Sequence, residues 1–470
     1  MVHRFRPVRG SGNRLLCLCG KRRRRFGGGR TNRPGCAAIL LRRGAPALSA
    51  EHRGRESGSE GGTVSRTWRK RWEHLDKSIL GLTALLIGFG LVALYSASSH
   101  AAAQPWGGNF GRQLVWLVIG LVGFGVTVFV PPSFFRNYAY VIYAVFLALL
   151  VLLLFVGRGP GVARWIPLGP FHLQPSELAK VGLILALARY LTEHKRDLQR
   201  PTEVALAFAL ALVPMALVAK QPNLGTSLVF GALSIPMLFW AGLPVFSLFV
   251  ILSPFASFLA SFHLVAFLVV MALVIGVLVL ARAGLRLSVL VVLANLGMAA
   301  LAPVLWNHLH EYQQQRILTS LGLRDDPTGM GYQVIQSKVA VGSGGLFGKG
   351  LLHGTQTHLK FLPAQHTDFI FSVIGEELGF IGASFALFLF LLLIVRCLRV
   401  AAVARNRFNS LVVVGVVSVL TFHVFVNVGM VLGMMPVAGL PLPFMSYGGS
   451  FLLSCLVMMG LVVNVSMRWD

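Results

Sequence analysis

Charged residues are scarce in this chain, and acidic residues are the scarcest of them. Only 12% of the 470 residues are charged, and 16 Asp and Glu stand against 42 Lys and Arg. Hydrophobic residues make up 55% of the chain, and the mean hydropathy is +0.72. This balance excludes a soluble globular core and indicates an all-α polytopic membrane protein, because long apolar segments cross a bilayer as helices.

Cysteine is also rare, which excludes a disulfide-stapled fold. The five Cys do not form a disulfide framework. Cys17, Cys19 and Cys36 lie in a basic tail without zinc-site spacing, and Cys397 and Cys455 fall in or beside apolar segments. The sequence therefore predicts neither structural disulfides nor a structural zinc ion.

Residues 1–66 carry much of the positive charge. They hold 16 Lys and Arg against three Glu, and so contribute +13 to the net charge of +26. The apolar run Ala37–Leu41 is too short for a signal peptide. We interpret residues 1–74 as a basic, disordered cytoplasmic tail. Its Lys21–Arg25 run could touch anionic lipid or nucleic acid, but a solvated tail explains it equally well, so no nucleic-acid partner is predicted.

Twelve apolar segments approach the length of about 20 residues that crossing a bilayer requires. The predicted spans are Ile79–Ser98, Leu114–Val130, Tyr138–Phe155, Leu178–Leu191, Val204–Ala219, Gly225–Ala241, Val245–Phe262, Val265–Ala281, Leu287–Leu305, Phe369–Val395, Leu411–Met434 and Phe451–Val465. The fourth is short and is charged at its start.

Lys and Arg in the short loops predict the orientation. With the N-terminus inside, the inside loops contain Arg136, Lys195, Arg196, Arg200, Arg282, Arg286, Arg396, Arg399, Arg405, Arg407 and Arg468. Both termini are then cytoplasmic, and the main outside segments are 99–113, 156–177, 220–224, 306–368 and 435–450. These segments hold nearly all of the unusual sequence, so an active face is expected on the extracytoplasmic side. Positive residues on that side suggest an anionic ligand.

A polar, Gly-rich stretch, residues 306–368, interrupts the apolar pattern and is predicted to be a functional extracytoplasmic loop. Pro327 pushes Asp326 into an extended conformation, from which a carboxylate can act as a general base or help to hold a divalent cation. A plain turn explains the same residues. The run Gly342–Gly350, with Lys349, predicts either an anion-binding nest or a flexible turn.

Four acidic residues stand at or inside predicted spans. Asp368 precedes a span and can simply cap it. Glu377, beside Glu376 in that span, is predicted to line a polar cavity, because charge inside a membrane is costly. Glu177 and Lys180 stand three residues apart on a helix and can pair. That pair either fixes the end of the helix, or lines the same cavity so that Lys180 can bind phosphate. The sequence pattern does not favour one role over the other.

Four blocks in a fixed order are more specific than any of these signals. They are Arg164-Trp165-Ile166 with Gln174-Pro175-Ser176-Glu177 and Lys180; Gln221 to Thr226; Asp326 to Gln333 with Gly342–Gly350 and His366 to Phe369; and Pro441-Leu442-Pro443 with Ser446 to Ser450. With these blocks, residues 75–467 resemble the SEDS (shape, elongation, division and sporulation) family. Gln336-Ser337-Lys338 and Asn427 to Met430 look more like its RodA branch than its FtsW branch.

The resemblance implies a peptidoglycan glycosyltransferase that polymerises lipid II on the outer face of the bacterial cytoplasmic membrane. It implies a class B penicillin-binding protein and the rod complex of cell elongation as partners. The family's essential Asp matches Asp326, which becomes the predicted catalytic residue, with a Mg²⁺ or Mn²⁺ ion beside it left open. The predicted substrate-binding residues are Glu177, Lys180, Arg164, Gln333, Lys338, Lys349, His366, Asp368 and Ser446.

Three departures from the family pattern qualify the resemblance. Asn223 stands where Asp is usual and Ala364 where Glu is common, so neither is given a charged role. The family usually has ten spans, which makes residues 245–281 the predicted inserted helix pair, for peripheral packing or partner contact. A lipid II flippase and a non-catalytic scaffold for a transpeptidase are the alternative functions. An Asp on an outside loop favours chemistry over transport, which prefers sites near the midplane.

Overall fold

A computed structural model describes residues 76–99, 108–156, 164–168, 171–193, 198, 200–221, 223–308, 314, 330–358 and 364–468. The predicted tail, residues 1–74, lies outside these residues. Asp326 and most of the stretch around it also lie outside them.

Helices dominate the described residues. In chain order they are α1 (Lys77–Ser99), α2 (Asn109–Phe129), α3 (Pro132–Val156), α4 (Pro175–Thr192), α5 (Pro201–Lys220), α6 (Leu224–Trp240), α7 (Val245–Ala260), α8 (Leu264–Leu280), α9 (Leu285–His308), α10 (Met330–Ser343), α11 (Thr355–His358), α12 (Ile370–Val403), α13 (Arg407–Val431) and α14 (Gly449–Ser466). A short antiparallel hairpin, β1 (Ile166–Leu168) and β2 (Phe171–Leu173), lies between α3 and α4. The predicted helical class is confirmed, and the hairpin is an element that the apolar pattern did not reveal.

Each of the twelve predicted spans overlaps one of these helices. In the described part of the chain, eight helices are long and apolar enough to cross a membrane, namely α1, α2, α3, α5, α9, α12, α13 and α14. Helices α6, α7 and α8 are apolar but shorter. Helix α4 carries Glu177, Lys180 and Arg189 among its 18 residues. The chain is thus a multi-pass membrane protein, and the number of twelve crossings stays a prediction.

Local side-chain chemistry explains where several helices begin. The Oδ1 atom of Asp76 accepts a hydrogen bond from the Ser78 amide at 3.0 Å and caps α1. Pro175 stands in the first turn of α4, where its missing N–H is tolerated. Asn223 caps α6, since its side chain accepts from the Thr226 amide at 3.4 Å. Asn223 therefore has a capping role that needs no charge.

The main hydrophobic core lies along α4, α13 and α14, the helices with the largest share of buried residues. Helix α3 packs on α4, α12 packs on α13, and α2 packs along α14. At the α2–α14 contact, Gly460 brings α14 against Thr127 and the backbone of Phe124. Small residues at such contacts let membrane helices approach closely.

Helices α7, α8 and α9 build a second, smaller hydrophobic cluster that includes the predicted inserted pair. Its buried members are Val274, Leu278 and Val291. A buried polar network joins α7 to α9, because Ser257 Oγ donates to Asn295 Oδ1 at 2.7 Å and Asn295 Nδ2 donates to Ser253 Oγ at 3.1 Å. Interhelical hydrogen bonds of this kind hold membrane helices together. We call α7–α9 the satellite cluster.

The polar stretch 306–368, predicted to be an extracytoplasmic loop, is partly helical in its described residues. Helix α9 continues to His308, and α10 and α11 lie within the stretch. Buried Ser337 docks α10 on its neighbours, since its Oγ donates to the Val431 carbonyl at 2.8 Å and lies 2.7 Å from Ser372 Oγ.

Candidate functional site

The sequence blocks meet at one end of the helix bundle, which we call the site end. It is the end where α1 finishes and where α2, α4, α6 and α14 begin. The Gln174 amide donates to Ser450 Oγ at 2.9 Å, and Ser450 Oγ donates to the His172 carbonyl at 3.0 Å. The Tyr447 amide donates to the His366 carbonyl at 2.8 Å. These bonds join the first, third and fourth blocks.

Arg164 brings the second block to the same end. Its Nε donates to the Gln221 carbonyl at 3.0 Å, and Gln221 Nε2 donates to the Leu150 carbonyl at 3.0 Å. Arg164 thereby ties the entry of the β-hairpin to the end of α5. The neighbouring residue, Trp165, is 38% exposed.

A cavity of about 290 Å³ opens between these segments. Its lining residues are Arg112, Trp116, Trp165, His172, Thr367, Tyr447, Gly448 and Gly449. Gly449 leaves room for the Trp116 indole, because any Cβ there would collide with that ring. Three aromatic residues beside a guanidinium form a surface suited to a sugar that carries an anionic group.

Ser446 shapes the loop beside this cavity. Its hydroxyl accepts from the Leu442 amide at 2.8 Å, and its carbonyl accepts from Gln113 Nε2 at 3.3 Å. Gln113 Oε1 in turn accepts from the Gly448 amide at 3.2 Å. Ser446 is 2% exposed. The structure therefore places Ser446 in the frame of the cavity, while Tyr447 faces the opening.

His366 and Asp368 flank the cavity-lining Thr367. The His366 ring lies edge-on to the Tyr447 ring, with centroids 5.9 Å apart. Burial disfavours the imidazolium and lowers the pKa of His366 from its usual value of 6.5. The Asp368 carbonyl accepts from Asn427 Nδ2 at 2.9 Å, which fixes the segment on α13.

Glu177 and Lys180 form an ion pair beneath the site end. Lys180 Nζ lies 2.6 Å from Glu177 Oε2 and 3.2 Å from His423 Nε2, and it stands over the Phe451 ring at 5.3 Å from the centroid. His423 Nδ1 lies 3.1 Å from the Pro441 carbonyl. A neutral His423 that donates from Nδ1 leaves Nε2 free to accept from Lys180. Lys180 is wholly buried and does not line the 290 Å³ cavity.

The Gly-rich run packs on α12 instead of forming an open anion nest. The amides of Lys349 and Gly350 donate to the carbonyls of Glu376 and Glu377 at 3.0 and 2.9 Å. Lys349 Nζ pairs with Glu376 Oε1 at 2.8 Å. These amides are thus already engaged, and the nest hypothesis lacks support in the structure. Glu377 is buried and accepts from Ser96 Oγ at 2.5 Å.

Two predicted substrate-binding residues lie on α10. Gln333 is half-buried, whereas Lys338 is exposed and its side chain lies against Gly433. Neither lines the 290 Å³ cavity. The structure therefore places His366, Asp368, Ser446 and Arg164 next to lining residues of the cavity, although none of the four lines it. It places Glu177 with Lys180 beneath the site end and Lys349 against α12.

The predicted catalytic Asp326 lies outside the described residues. Within the described ranges, no group of three or more His, Cys, Asp or Glu is arranged to hold a metal ion. The hypothesis of a divalent cation therefore depends on Asp326 and its neighbours outside the described residues.

Five of the eight lining residues belong to the motif blocks, whereas Arg112, Trp116 and His172 were not predicted as site residues. Arg112 and Trp116 stand four apart on α2, so they share a helix face. Two features of the sequence could have identified these residues. One is their spacing, and the other is the position of Arg112 on the extracytoplasmic side, where positive residues are disfavoured. His172 belongs to the unpredicted hairpin and carried no signal.

The comparison with known proteins agrees with the motifs. The sequence profile of the FtsW/RodA/SpoVE family of cell cycle proteins matches residues 76–273 and 266–469. The chain belongs to this family. The resemblance to SEDS proteins is therefore confirmed, and the four blocks that meet at the site end are parts of one family domain.

Relatives of known name cover most of the chain. The peptidoglycan glycosyltransferase MrdB of Escherichia coli strain K12 is 37% identical over 396 residues, which cover 83% of this chain and 93% of MrdB. The peptidoglycan glycosyltransferase RodA of Treponema pallidum is 33% identical over 431 residues, covering 83% of this chain and 97% of that protein.

Solved structures of family members share the fold. One comes from a peptidoglycan synthase complex that coordinates polymerization and crosslinking. It is 33% identical to this chain, and the match covers 84% of this chain and 99% of the solved chain, with a TM-score of 0.62. The rod shape determining protein RodA of Thermus thermophilus is 31% identical, covers 83% of this chain and 96% of its own, and has a TM-score of 0.55.

Proposed function

We propose that this protein is a peptidoglycan glycosyltransferase that polymerises lipid II into glycan strands for cell-wall elongation and rod shape. The observation that carries the proposal is that three of the four motif blocks contribute lining residues to one cavity at the site end, namely Trp165, Thr367 and Tyr447 to Gly449. Arg164 bonds the second block to the same end. Relatives named as peptidoglycan glycosyltransferases match this chain over 83% of its length, which supports the same activity.

The proposed reaction is a single displacement at a sugar carbon. A hydroxyl of the acceptor glycan attacks the anomeric carbon of the lipid-linked donor, and the bond from that carbon to the pyrophosphate oxygen breaks. The lipid pyrophosphate leaves with the electron pair, and Asp326 takes the proton from the attacking hydroxyl. Attack opposite to the leaving group inverts the configuration, so an α-linked donor gives a β-linked polymer.

The cavity suits the sugar-phosphate part of this substrate. Trp116, Trp165 and Tyr447 offer apolar ring faces, and Arg112 offers a guanidinium that can bind phosphate oxygens. The buried pair Glu177 and Lys180 holds the start of α4 beneath the cavity. The polyprenyl tail of the donor stays in the bilayer, against the apolar sides of the helices.

The proposed setting is the bacterial cytoplasmic membrane, with both termini inside and the site end outside. The distribution of Lys and Arg among the loops supports this orientation. The proposed partner is a class B penicillin-binding protein acting with the rod complex. A structural neighbour from a complex that coordinates polymerization and crosslinking supports a partner of this type.

The test is lipid II polymerisation by the purified full-length chain with its cognate transpeptidase. Asp326→Ala is expected to abolish glycan strands, because the essential base is lost, while Asp325→Ala, the matched control one residue away, retains them. Equal polymer from wild type and Asp326→Ala would remove Asp326 from the mechanism. No polymer from folded wild-type complex would favour a flippase or a scaffold, which a lipid II transport assay then separates. Repeating the assay with Mg²⁺, with Mn²⁺ and with excess chelator checks the predicted cation.

A further inference from the structure

A second groove lies in the satellite cluster, between α8 and α9. Its volume is about 390 Å³, which falls in the range of roughly 300–1,000 Å³ typical of ligand sites. Aliphatic side chains such as Ile275, Val279, Val292 and Leu293 form its walls. Arg282 and Ser288 are the polar side chains among the lining residues. The groove thus combines an apolar channel with one cationic group.

Among the residues that the structure describes, no carboxylate balances the charge at this groove. Arg282 lies between α8 and α9, and Arg286 follows it in the first turn of α9. No acidic residue occurs between Glu203 and Glu311 in the sequence. Within the described residues, neither Arg282 nor Arg286 forms an ion pair. An anionic ligand would supply the missing partner.

Arg282 holds this position in an unfavourable backbone conformation. Its φ is +49°, in the left-handed region that disfavours side chains other than Gly. Helix α6 ends in a turn of the same kind, in which Gly242 takes the corresponding position with a φ of +102°. In both turns, amide-to-carbonyl bonds of about 3 Å close the helix end, as in Arg282 to Val279 at 3.0 Å. A strained Arg where Gly fits is an outlier that points to a function.

The surroundings of the groove are apolar and outward-facing. On α8, Val279 and Leu280 are 70% and 85% exposed, and Leu285 at the start of α9 is 81% exposed. In a multi-pass membrane protein, such side chains contact acyl chains. A helix end that carries arginine beside an apolar groove has the chemistry that binds an anionic headgroup.

We propose that the groove between α8 and α9 binds one anionic phospholipid. Its acyl chain lies along the aliphatic walls, and its phosphate contacts Arg282, with Arg286 adding positive charge. A zwitterionic lipid can fill the same walls but carries no net charge to complement the two arginines. The satellite cluster therefore takes a lipid as a structural ligand, independently of the reaction at the site end.

The test is native mass spectrometry of the full-length chain with equal amounts of palmitoyl-oleoyl phosphatidylglycerol and phosphatidylcholine. Wild type is expected to retain one phosphatidylglycerol in about fivefold preference, the effect of one arginine on an anionic lipid. Arg282→Gln abolishes the preference. Arg282→Gly abolishes it too, and raises or preserves the melting temperature, because Gly suits the turn. Loss of the preference in that variant, at an unchanged or higher melting temperature, therefore cannot come from misfolding.

Two further variants distinguish specific binding in the groove from a general attraction of anionic lipid to positive charge. Val292→Trp fills the groove and keeps Arg282, and it is expected to reduce retention of both lipids. Arg405→Gln removes an exposed charge from the loop between α12 and α13, and it should leave the preference intact. The proposal is overturned if the preference for phosphatidylglycerol persists in both Arg282 variants, or if Val292→Trp retains both lipids as wild type does. Either result would place the retained lipid outside this groove. The proposal is also overturned if Arg405→Gln loses the preference for phosphatidylglycerol to the same extent as Arg282→Gln.

Discussion

Lys180 shows at the scale of one residue how this bundle accommodates charge. Its ammonium group has no exposed surface, yet it contacts Glu177, His423 and the face of the Phe451 ring. Burying an ion without partners would cost several kcal/mol, so these contacts explain why a lysine persists inside a membrane helix. The structure thereby favours the helix-fixing role of the Glu177–Lys180 pair, and phosphate binding by Lys180 stays a prediction.

Removing one member of this pair is expected to be more harmful than neutralising both. Lys180→Met leaves Glu177 buried without its cation and should destabilise the protein by about 3–5 kcal/mol. Adding Glu177→Gln to that variant should restore part of the loss. Unfolding of the purified protein in detergent, followed by circular dichroism, measures both changes. A double variant as unstable as the single one would show that the pair does not act as a unit.

His366 makes stability depend on pH. Its folded pKa lies below the unfolded value of about 6.5, so the unfolded state binds the proton first as the pH falls. The stabilising contribution is full above about pH 6.5 and is lost as the pH drops towards the lowered folded pKa. When the pH is lowered from 7.5 to 5.5, the melting temperature of wild type should therefore fall by more than that of His366→Gln. Parallel curves for the two proteins would contradict this assignment.

At the scale of elements, a kink in α12 positions the Gly-rich run. Gly379 interrupts the helix with a φ of +65°, and the amides of Phe380 and Ile381 donate to the Gly345 and Leu346 carbonyls at 2.9 and 3.1 Å. Gly348 has a φ of +82° and lies against the Glu377 carbonyl. The Gly-rich run fits against the kink in α12. The two backbones approach so closely there that a side chain at Gly348 or Gly379 would collide with the other segment.

Two glycine substitutions in this region should have opposite effects. Gly348→Ala places a Cβ in the left-handed region and against a carbonyl, so it should cost at least about 1–2 kcal/mol. Gly342→Ala lies at the end of α10 with open space around it, and it should gain about 0.5–1 kcal/mol. Melting temperatures of the two variants test this contrast. Equal shifts would show that the run does not dock on α12 as the structure has it.

At the scale of the whole molecule, the long-range bonds collect the unusual sequence at one end. Ser450 and Gln174 are 276 residues apart, and Gln113 and Ser446 are 333 apart, yet each pair is hydrogen-bonded at the site end. Arg407 and Trp240 bind their partners at the opposite end. A bundle with its chemistry at one end suits a substrate that approaches from one side of the membrane.

The predicted orientation can be tested with single cysteines. In a chain without its native cysteines, Met434→Cys stands in an exposed loop at the site end, and Asn406→Cys is exposed at the other end. A membrane-impermeant maleimide added to intact spheroplasts should label Met434→Cys and spare Asn406→Cys until the cells are lysed. The reverse pattern would invert the topology and exclude a site on the outer face.

The apolar segments were predictable because hydrophobic length is a local property of the sequence. All twelve predicted segments overlap helices, although α4 extends further than expected, to Pro175–Thr192. The hairpin and α10 were not predicted. Strands of three residues carry no periodic pattern, and α10 combines Gly, Gln and Ser in a stretch whose helical state depends on docking Ser337 between α12 and α13.

The sequence by itself determined the membrane class, the family blocks and the candidate Asp326, because composition and short motifs need no knowledge of distant contacts. Only the tertiary structure decided which side chains face one another. It buried Lys180 against His423, which lies 243 residues away, and it engaged the amides of Lys349 and Gly350 with α12. It also created a cavity with Arg112 and Trp116 beside Tyr447. These pairings follow from how helices pack, which no local pattern in the chain encodes.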